Sequence, residues 1–396
     1  MGRLGEAKLR PGDVVAVLEG PGPGWPDLVT EVWEGGATLL PIDPRLSAGE
    51  IAALLDRARP TLILRTDGWE RRRDGLPPDG DVDLIVHTSG TGGRPRLAAF
   101  SRGALLAAVR ASATELGASA DGRWLCCLPV AHIGGMLVLL RGVLLGAPIT
   151  VHARFDVEAV AAEPDLAYVS LVPTMLARLL DAGVDVARFA TILVGGAALP
   201  PTLRARAEAA GARPVHTYGL TESCGGVVYE GRPLPEVGVR LDRGGLIELG
   251  GPTLMRGYHR DPAATRRAFT ADGWLRTGDV GELDPHGRLR VLGRSDTVIT
   301  TGGEKVWPDE VEAALRDHPA VAEVLVSGRA DPEWGERVVA YVVARDGREP
   351  PTLSELRGFA SERLARHKAP RELVLVAELP RTGSGKVRRV RSRDQE

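Results

Sequence analysis

From Asp13 onwards the chain alternates short apolar runs with stretches of helical periodicity, and that alternation restricts the fold more than any other feature. DVVAVLE (Asp13–Glu19) reads as a strand, WPDLVTEVWEGG as a helix and ATLLPI (Ala37–Ile42) as a strand. Ser47 and Glu50 have the spacing of a capping box ahead of IAALLDRA, and TLIL (Thr61–Leu64) is the next short apolar run. Strands separated by helices predict a parallel sheet with helices packed on it. A charged, Pro/Gly-rich loop (Arg71–Asp81) follows, then the strand LIVH (Leu84–His87), a small-residue loop and the helix SRGALLAAVRASATEL. WLCCL, ITVH, AYVSLV and TILVGG continue as strands, with MLVLLRGVLL, TMLARLLDAG and a segment after Pro201 as helices.

The pattern changes at Gly244 to short β segments with Gly turns, which predicts a β-rich subdomain. Beyond Pro308, DEVEAALRDH, AVAEVLVSG, ERVVAYVVAR, LSELRGFASERLAR and ELVLVAEL predict a small α+β unit. A chain of 396 residues is too long for one core, so the expectation is an α/β protein of at least two domains. A net charge of −2 gives no electrostatic reason to expect a nucleic-acid partner. Three cysteines cannot build a disulfide framework, the first residues carry no apolar signal core, and the most apolar segment is interrupted by Arg141. A cytoplasmic protein with no membrane span is the expectation.

Several stretches could carry chemistry. Thr88-Ser89-Gly90-Thr91-Gly92-Gly93-Arg94-Pro95-Arg96 follows a strand and precedes a helix, where glycines let backbone approach an anion and hydroxyls and Arg add donors. It lacks the Gly-Lys-Ser/Thr ending of a P-loop, and an ordinary Gly-rich turn is the alternative. In HTYGLTESCGG, Tyr218 could stack on a base while Thr221 and Glu222 hold a phosphate oxygen and a Mg²⁺. A polar loop leaving a strand would read the same way. Asp279 and Arg294 suit ribose hydroxyls, or equally a turn and a surface. Lys386, one of four lysines among 50 basic residues, sits in a Gly/Ser loop ahead of a basic tail.

Taken in order, TSGT-GG-RPR, GGAALP, YGLTE, GWLRTGDVG, GRSD, GGEK and TGSGK resemble the adenylate-forming family of acyl-CoA synthetases, luciferases and peptide-synthetase adenylation domains. The resemblance covers nearly the whole chain. It implies a large AMP-binding domain over 1–293, a hinge at 294–296 and a mobile C-terminal lid over 297–396. It implies ATP, Mg²⁺ and coenzyme A, with a carboxylate converted first to acyl-AMP and pyrophosphate and then to a thioester. By matching motif, Thr88, Ser89, Gly90, Thr91 and Arg96 would hold the leaving phosphates, and Gly195, Gly196, Ala197 and Tyr218 would frame the adenine. Thr221 would meet the α-phosphate, Glu222 the Mg²⁺, and Asp279 and Arg294 the ribose. Asp296 would be the pivot, Gly302 and Gly303 the coenzyme A side, and Lys386 the catalytic lysine of the closed lid.

Three departures matter. Thr91-Gly92-Gly93 stands where the family usually has Thr-Thr-Gly. Arg96 stands where the family usually has Lys, which keeps the charge and changes donor geometry. The chain also begins later than a typical member, leaving an edge of the first subdomain absent or covered by a second subunit, so a homodimer is an expectation. His132 occupies the place where amino-acid-activating relatives carry Asp, which argues against an ammonium-bearing substrate. The run LPVAHIGGMLVLLRGVLLGAPI is most similar to a subgroup that activates an aromatic dicarboxylate. His132 and Arg141 are the candidate donors to its second carboxylate, with Gly196 beside them. The plainer alternatives are a packing histidine and an arginine on an exposed helix face. Other aryl acids, a carrier-protein acceptor and a non-catalytic nucleotide-binding relic are the competing readings.

Overall fold

A computed structural model describes residues 7–88 and 96–380. All five residues of β1 (Val14–Leu18) are buried, because a strand covered on both faces has no polar side to show. β1 pairs in parallel with β2 (Thr38–Pro41) and β3 (Leu62–Arg65). Between them run α1 (Trp25–Glu34), which buries Trp25, Leu28, Val29, Val32 and Trp33, and α2 (Ala48–Ala58). The expected capping box is present at α2. Glu50 N–H donates to Ser47 Oγ at 3.3 Å and Ser47 N–H donates to Glu50 Oε2 at 2.9 Å. Such a cap contributes about 1 kcal/mol.

β5 (Leu84–Thr88) adds in parallel to β2, but β4 (Gly68–Arg71), β6 (Arg96–Phe100) and β16 (Gly257–Tyr258) pair antiparallel with β3, β5 and β6. The sheet, in the order β16-β6-β5-β2-β1-β3-β4, is therefore mixed rather than parallel. β6 also replaces the loop expected between LIVH and the following helix. The reason is geometric: residues 89–95 are too few for a parallel crossover, which takes a dozen or more, so the next strand must return beside β5. Leu97, Ala98 and Phe100 are buried there.

The second sheet runs β13-β12-β11-β10-β9-β7-β8. β7 (Arg123–Cys126), β8 (Ile149–Val151), β9 (Leu166–Leu171), β10 (Thr191–Val194) and β11 (Pro214–Leu220) are parallel, as the alternation predicts. β12 (Gly225–Tyr229) and β13 (Arg232–Pro233) turn back at one edge. α3 (Arg102–Leu116), α4 (Ile133–Leu145), α6 (Pro173–Asp181) and α7 (Pro201–Ala209) match the expected helices. A short α5 (Val157–Ala162), capped by Asp156, was not anticipated. Leu125, Val169, Leu176, Phe189, Ile192 and Val194 lie at the centre of this core.

Packing divides the chain into Met1–Arg240 with Glu248–Thr277, and Leu241–Ile247 with Gly278–Glu396. The expected β-rich stretch is present as β14 (Gly238–Leu241), β15 (Leu246–Gly250) and the hairpin of β17 (Leu275–Leu283) with β18 (Leu289–Arg294). In the second unit, β19 (Ile299–Thr301), β20 (Glu304–Val306), β21 (Val321–Asp331), β22 (Gly335–Ala344) and β23 (Glu372–Leu375) form one sheet. α8 (Pro308–Leu315) and α9 (Leu353–Ser361) bury Val311, Leu315 and Leu356 in the same core. Gly302 and Gly303 join β19 to β20 with φ of +58° and +84°. A two-residue turn with both central residues at positive φ matches the right-handed twist of the strands, and glycine takes it without steric cost.

Candidate active site

In the first unit, the residues expected around a nucleotide base collect at the carboxyl ends of parallel strands, where open α/β sheets bind ligands. Gly195, Gly196 and Ala197 leave the end of β10, and Gly195 N–H donates to Leu171 O at 3.1 Å at the end of β9. β11 runs beside β10 and carries Tyr218 within the strand rather than in a loop. His216 Nε2 lies 3.3 Å from Ala197 O, tying the two segments together. Immediately after Tyr218 in β11, Gly219 admits no side chain, since a Cβ would lie 1.9 Å from Gly225 O.

Thr221 and Glu222 then occupy a single 3₁₀ turn, Thr221–Ser223. Glu222 is held twice: its carbonyl accepts from Met255 N–H at 2.9 Å, and its Oε1 accepts from the Tyr258 hydroxyl at 2.7 Å. Tyr258 lies in β16, flanked by Arg256 N–H on Ala99 O at 2.8 Å and His259 N–H on Leu97 O at 2.7 Å. Arg96, the first residue of β6, places its guanidinium 5.2 Å from the centre of the Tyr258 ring. Thr88, at the end of β5 opposite Arg96, has a buried Oγ1 without a hydrogen-bond partner among the described residues. Ser89, Gly90, Thr91 and Lys386 lie outside the described residues.

No group of three or more His, Cys, Asp or Glu side chains that could cage a metal occurs among the described residues. A cation at Glu222 would thus rest on one carboxylate and on oxygens of a bound nucleotide. That donor set fits Mg²⁺, which keeps waters and phosphate oxygens rather than entering an all-protein cage.

In the second unit, the antiparallel register of β17 and β18 sets Asp279 opposite Arg294. Arg294 Nη1 approaches Asp279 Oδ1 at 3.3 Å, and its Nε approaches Asp296 Oδ1 at the same distance. Burial works against the Arg294 charge, but the two carboxylates outweigh it and raise its pKa above the ordinary value. The expected ribose pair and the expected pivot are therefore joined by one guanidinium.

The two candidate carboxylate donors separate. His132 is the N-cap residue of α4, half-buried, with its ring 5.5 Å from that of His87. Burial holds the His87 imidazole below its usual pKa, against the pull of Asp43 and Glu50. Arg141 corrects one reading made of it, that of an exposed helix face. It is 3% exposed, so it is no surface arginine; two of its donors are taken within the core, while its buried Nε has no hydrogen-bond partner among the described residues. Nη1 reaches Leu137 O at 2.9 Å, Nη2 reaches Ser112 Oγ at 2.8 Å, and the guanidinium lies 4.1 Å from the centre of the Trp124 ring. The missed clue is that α4 is apolar around its whole circumference, the mark of a buried helix. Tyr258 was missed as well, for want of any local signal.

The profile of AMP-binding enzymes matches residues 67–259, and that of the AMP-binding enzyme C-terminal domain matches residues 310–386. The chain belongs to this family of AMP-binding enzymes. A Mycobacterium tuberculosis relative named "Probable 2-succinylbenzoate--CoA ligase" is 43% identical, over 89% of this chain and 94% of its own length. The o-succinylbenzoate CoA synthetase of Bacillus subtilis, solved with its acyl-adenylate intermediate, superposes with a TM-score of 0.88 at 29% identity, covering 100% of this chain and 90% of that one. The same enzyme with ATP and magnesium ion gives 0.87 at 28% identity, covering 100% and 91%.

Proposed function

We propose that this chain is an ATP-dependent acid–CoA ligase acting on 2-succinylbenzoate, in the cytoplasm. The observation that carries this reading is the near full-length similarity to ligases named for that acid. In the first half-reaction a substrate carboxylate oxygen attacks the α-phosphorus of ATP, and pyrophosphate leaves. In the second, the coenzyme A thiol attacks the acyl carbon and AMP leaves, with the thiol proton passing to solvent.

The chain's contribution is positioning and charge neutralisation. Gly195, Gly196, Ala197 and Tyr218 flank the base. Thr88, Ser89, Gly90, Thr91 and Arg96 hold the β,γ-phosphates, and Thr221 the α-phosphate. Asp279 accepts from ribose hydroxyls beside Arg294. Magnesium, held by Glu222, draws charge from the phosphates and makes pyrophosphate a better leaving group. His132 supplies the contact to the second carboxylate, with Gly196 at the pocket wall. Residues 297–396 act as the lid and 1–293 as the body, with 294–296 as the pivot. One setting of the lid brings Lys386 to the α-phosphate, and the other brings the Gly302–Gly303 turn to the pantetheine.

The test is a panel of aromatic and aliphatic acids with ATP, Mg²⁺ and coenzyme A, read by pyrophosphate release and thioester mass. 2-Succinylbenzoate should give the highest kcat/KM. A preference for a monocarboxylic aryl acid would reassign the substrate. Pyrophosphate without thioester, cured by a carrier protein, would reassign the acceptor. Lys386→Ala should lower adenylate formation by about 10³-fold while thioester formation from preformed acyl-AMP stays near the parent rate. Equal loss of both steps would sink the role of Lys386.

A further inference from the structure

Tyr258 has no part in the reaction as set out above, yet its side chain makes a short contact to a residue assigned to the nucleotide. Its hydroxyl donates to Glu222 Oε1 at 2.7 Å, within the range of a charge-assisted hydrogen bond. The phenol cannot easily drift from that place. Its own N–H donates to Thr265 Oγ1 at 2.8 Å, its strand is bonded to β6 on both sides, and its ring lies beside the Arg96 guanidinium. The main chain of Glu222 is bound to the same segment through Met255 N–H. A carboxylate with three rotatable bonds is thereby gripped at its carbonyl and at one carboxylate oxygen.

We propose that Tyr258 is a positioning residue for the cation site, fixing Glu222 so that one carboxylate oxygen is occupied and the other is presented to the magnesium ion that accompanies ATP. This rests on the reading of Glu222 as the magnesium ligand. The donor is neutral, which is what the task requires. An arginine or lysine in its place would orient the carboxylate but cancel the charge that attracts the metal. A phenol, whose ordinary pKa is about 10, is a donor throughout the neutral range. Partners that orient a metal ligand commonly set metal affinity by about 10- to 100-fold.

The test needs neither acid nor coenzyme A, so it stands apart from the identity of the substrate. Binding of a fluorescent ATP analogue is titrated with Mg²⁺ in the parent, Tyr258→Phe, Glu222→Gln and the double variant. AMP binding in EDTA serves as the metal-free reference. Tyr258→Phe keeps the packed ring and removes only the donor. It should raise the Mg²⁺ concentration for half-maximal ATP binding by about tenfold, leave AMP binding unchanged, and add nothing to Glu222→Gln. A parent-like Mg²⁺ dependence in Tyr258→Phe alongside a shifted one in Glu222→Gln would overturn the role of Tyr258 and leave that of Glu222. No shift in Glu222→Gln would overturn both. Matching losses of AMP binding and Mg²⁺-dependent ATP binding in Tyr258→Phe would reduce Tyr258 to a structural residue.

Discussion

Glu222 and Asp279 are two carboxylates read as nucleotide contacts, and they are held in opposite ways. Glu222 is held by a neutral phenol at 2.7 Å. Asp279 faces a guanidinium at 3.3 Å, and Asp296 shares that same cation. The first arrangement suits a divalent cation, for which net charge matters most. The second suits hydroxyl groups, for which the direction of the acceptor matters and an uncompensated charge would only cost desolvation. On the proposed reading, two side chains of the same chemistry would be set to different tasks by the charge of the partner that holds each one.

The difference yields unequal penalties when the charge is removed. Glu222→Gln keeps an acceptor of similar shape but loses the charge, so pyrophosphate release should fall by about 10²–10³-fold at fixed Mg²⁺ and recover partly as Mg²⁺ is raised. A loss that no amount of Mg²⁺ relieves would break the distinction. Asp279→Asn should cost less: a rise of about tenfold in KM for ATP, an unchanged Mg²⁺ dependence, and weaker preference for ATP over its 2′-deoxy analogue. If Asp279→Asn shifted the Mg²⁺ dependence as far as Glu222→Gln, the two sites would not be separate in function.

The smallest effect concerns stability. His87, His216 and His259 are each held below the usual imidazole range, burial being the main cause in every case. The unfolded chain therefore takes up protons that the folded chain refuses. The stability these groups contribute is complete above the unfolded pKa of about 6.5 and declines as pH falls through that value towards the lower folded ones. Urea midpoints should be lower at pH 5.5 than at pH 7.5, and His87→Gln should flatten the slope. An unchanged slope would mean that His87 is protonated as readily in the fold as outside it.

Much of this architecture was legible in sequence because period and punctuation are local. VVAVL announces a doubly covered strand, and Ser47 with Glu50 announces a helix start, whatever the rest of the chain does. Arg96–Phe100 escaped notice because its apolar run follows a Gly/Pro-rich segment whose turn signals dominate. Only the shortness of the connection to β5 reveals it. Arg141 was misread since a charge in a helix is ordinarily turned outward, and its aromatic and hydroxyl partners come from other elements. The Asp279–Arg294 contact depends on strand register across a hairpin, and Tyr258 meets Glu222 across 36 residues of chain. Motif order could point to the members of these sets, but not to what holds them.

The segment Met255–His259 has a further consequence. Its amides bond to Glu222 on one side and to Ala99 and Leu97 on the other, so five residues stitch a turn of the second sheet to β6 of the first. Opening either seam frees the amides it holds, and a ligand that steadies Glu222 would protect the whole strip. Deuterium uptake at Met255, Arg256 and His259 should therefore slow in concert when nucleotide and magnesium settle on Glu222, making this inconspicuous strip a built-in reporter of occupancy.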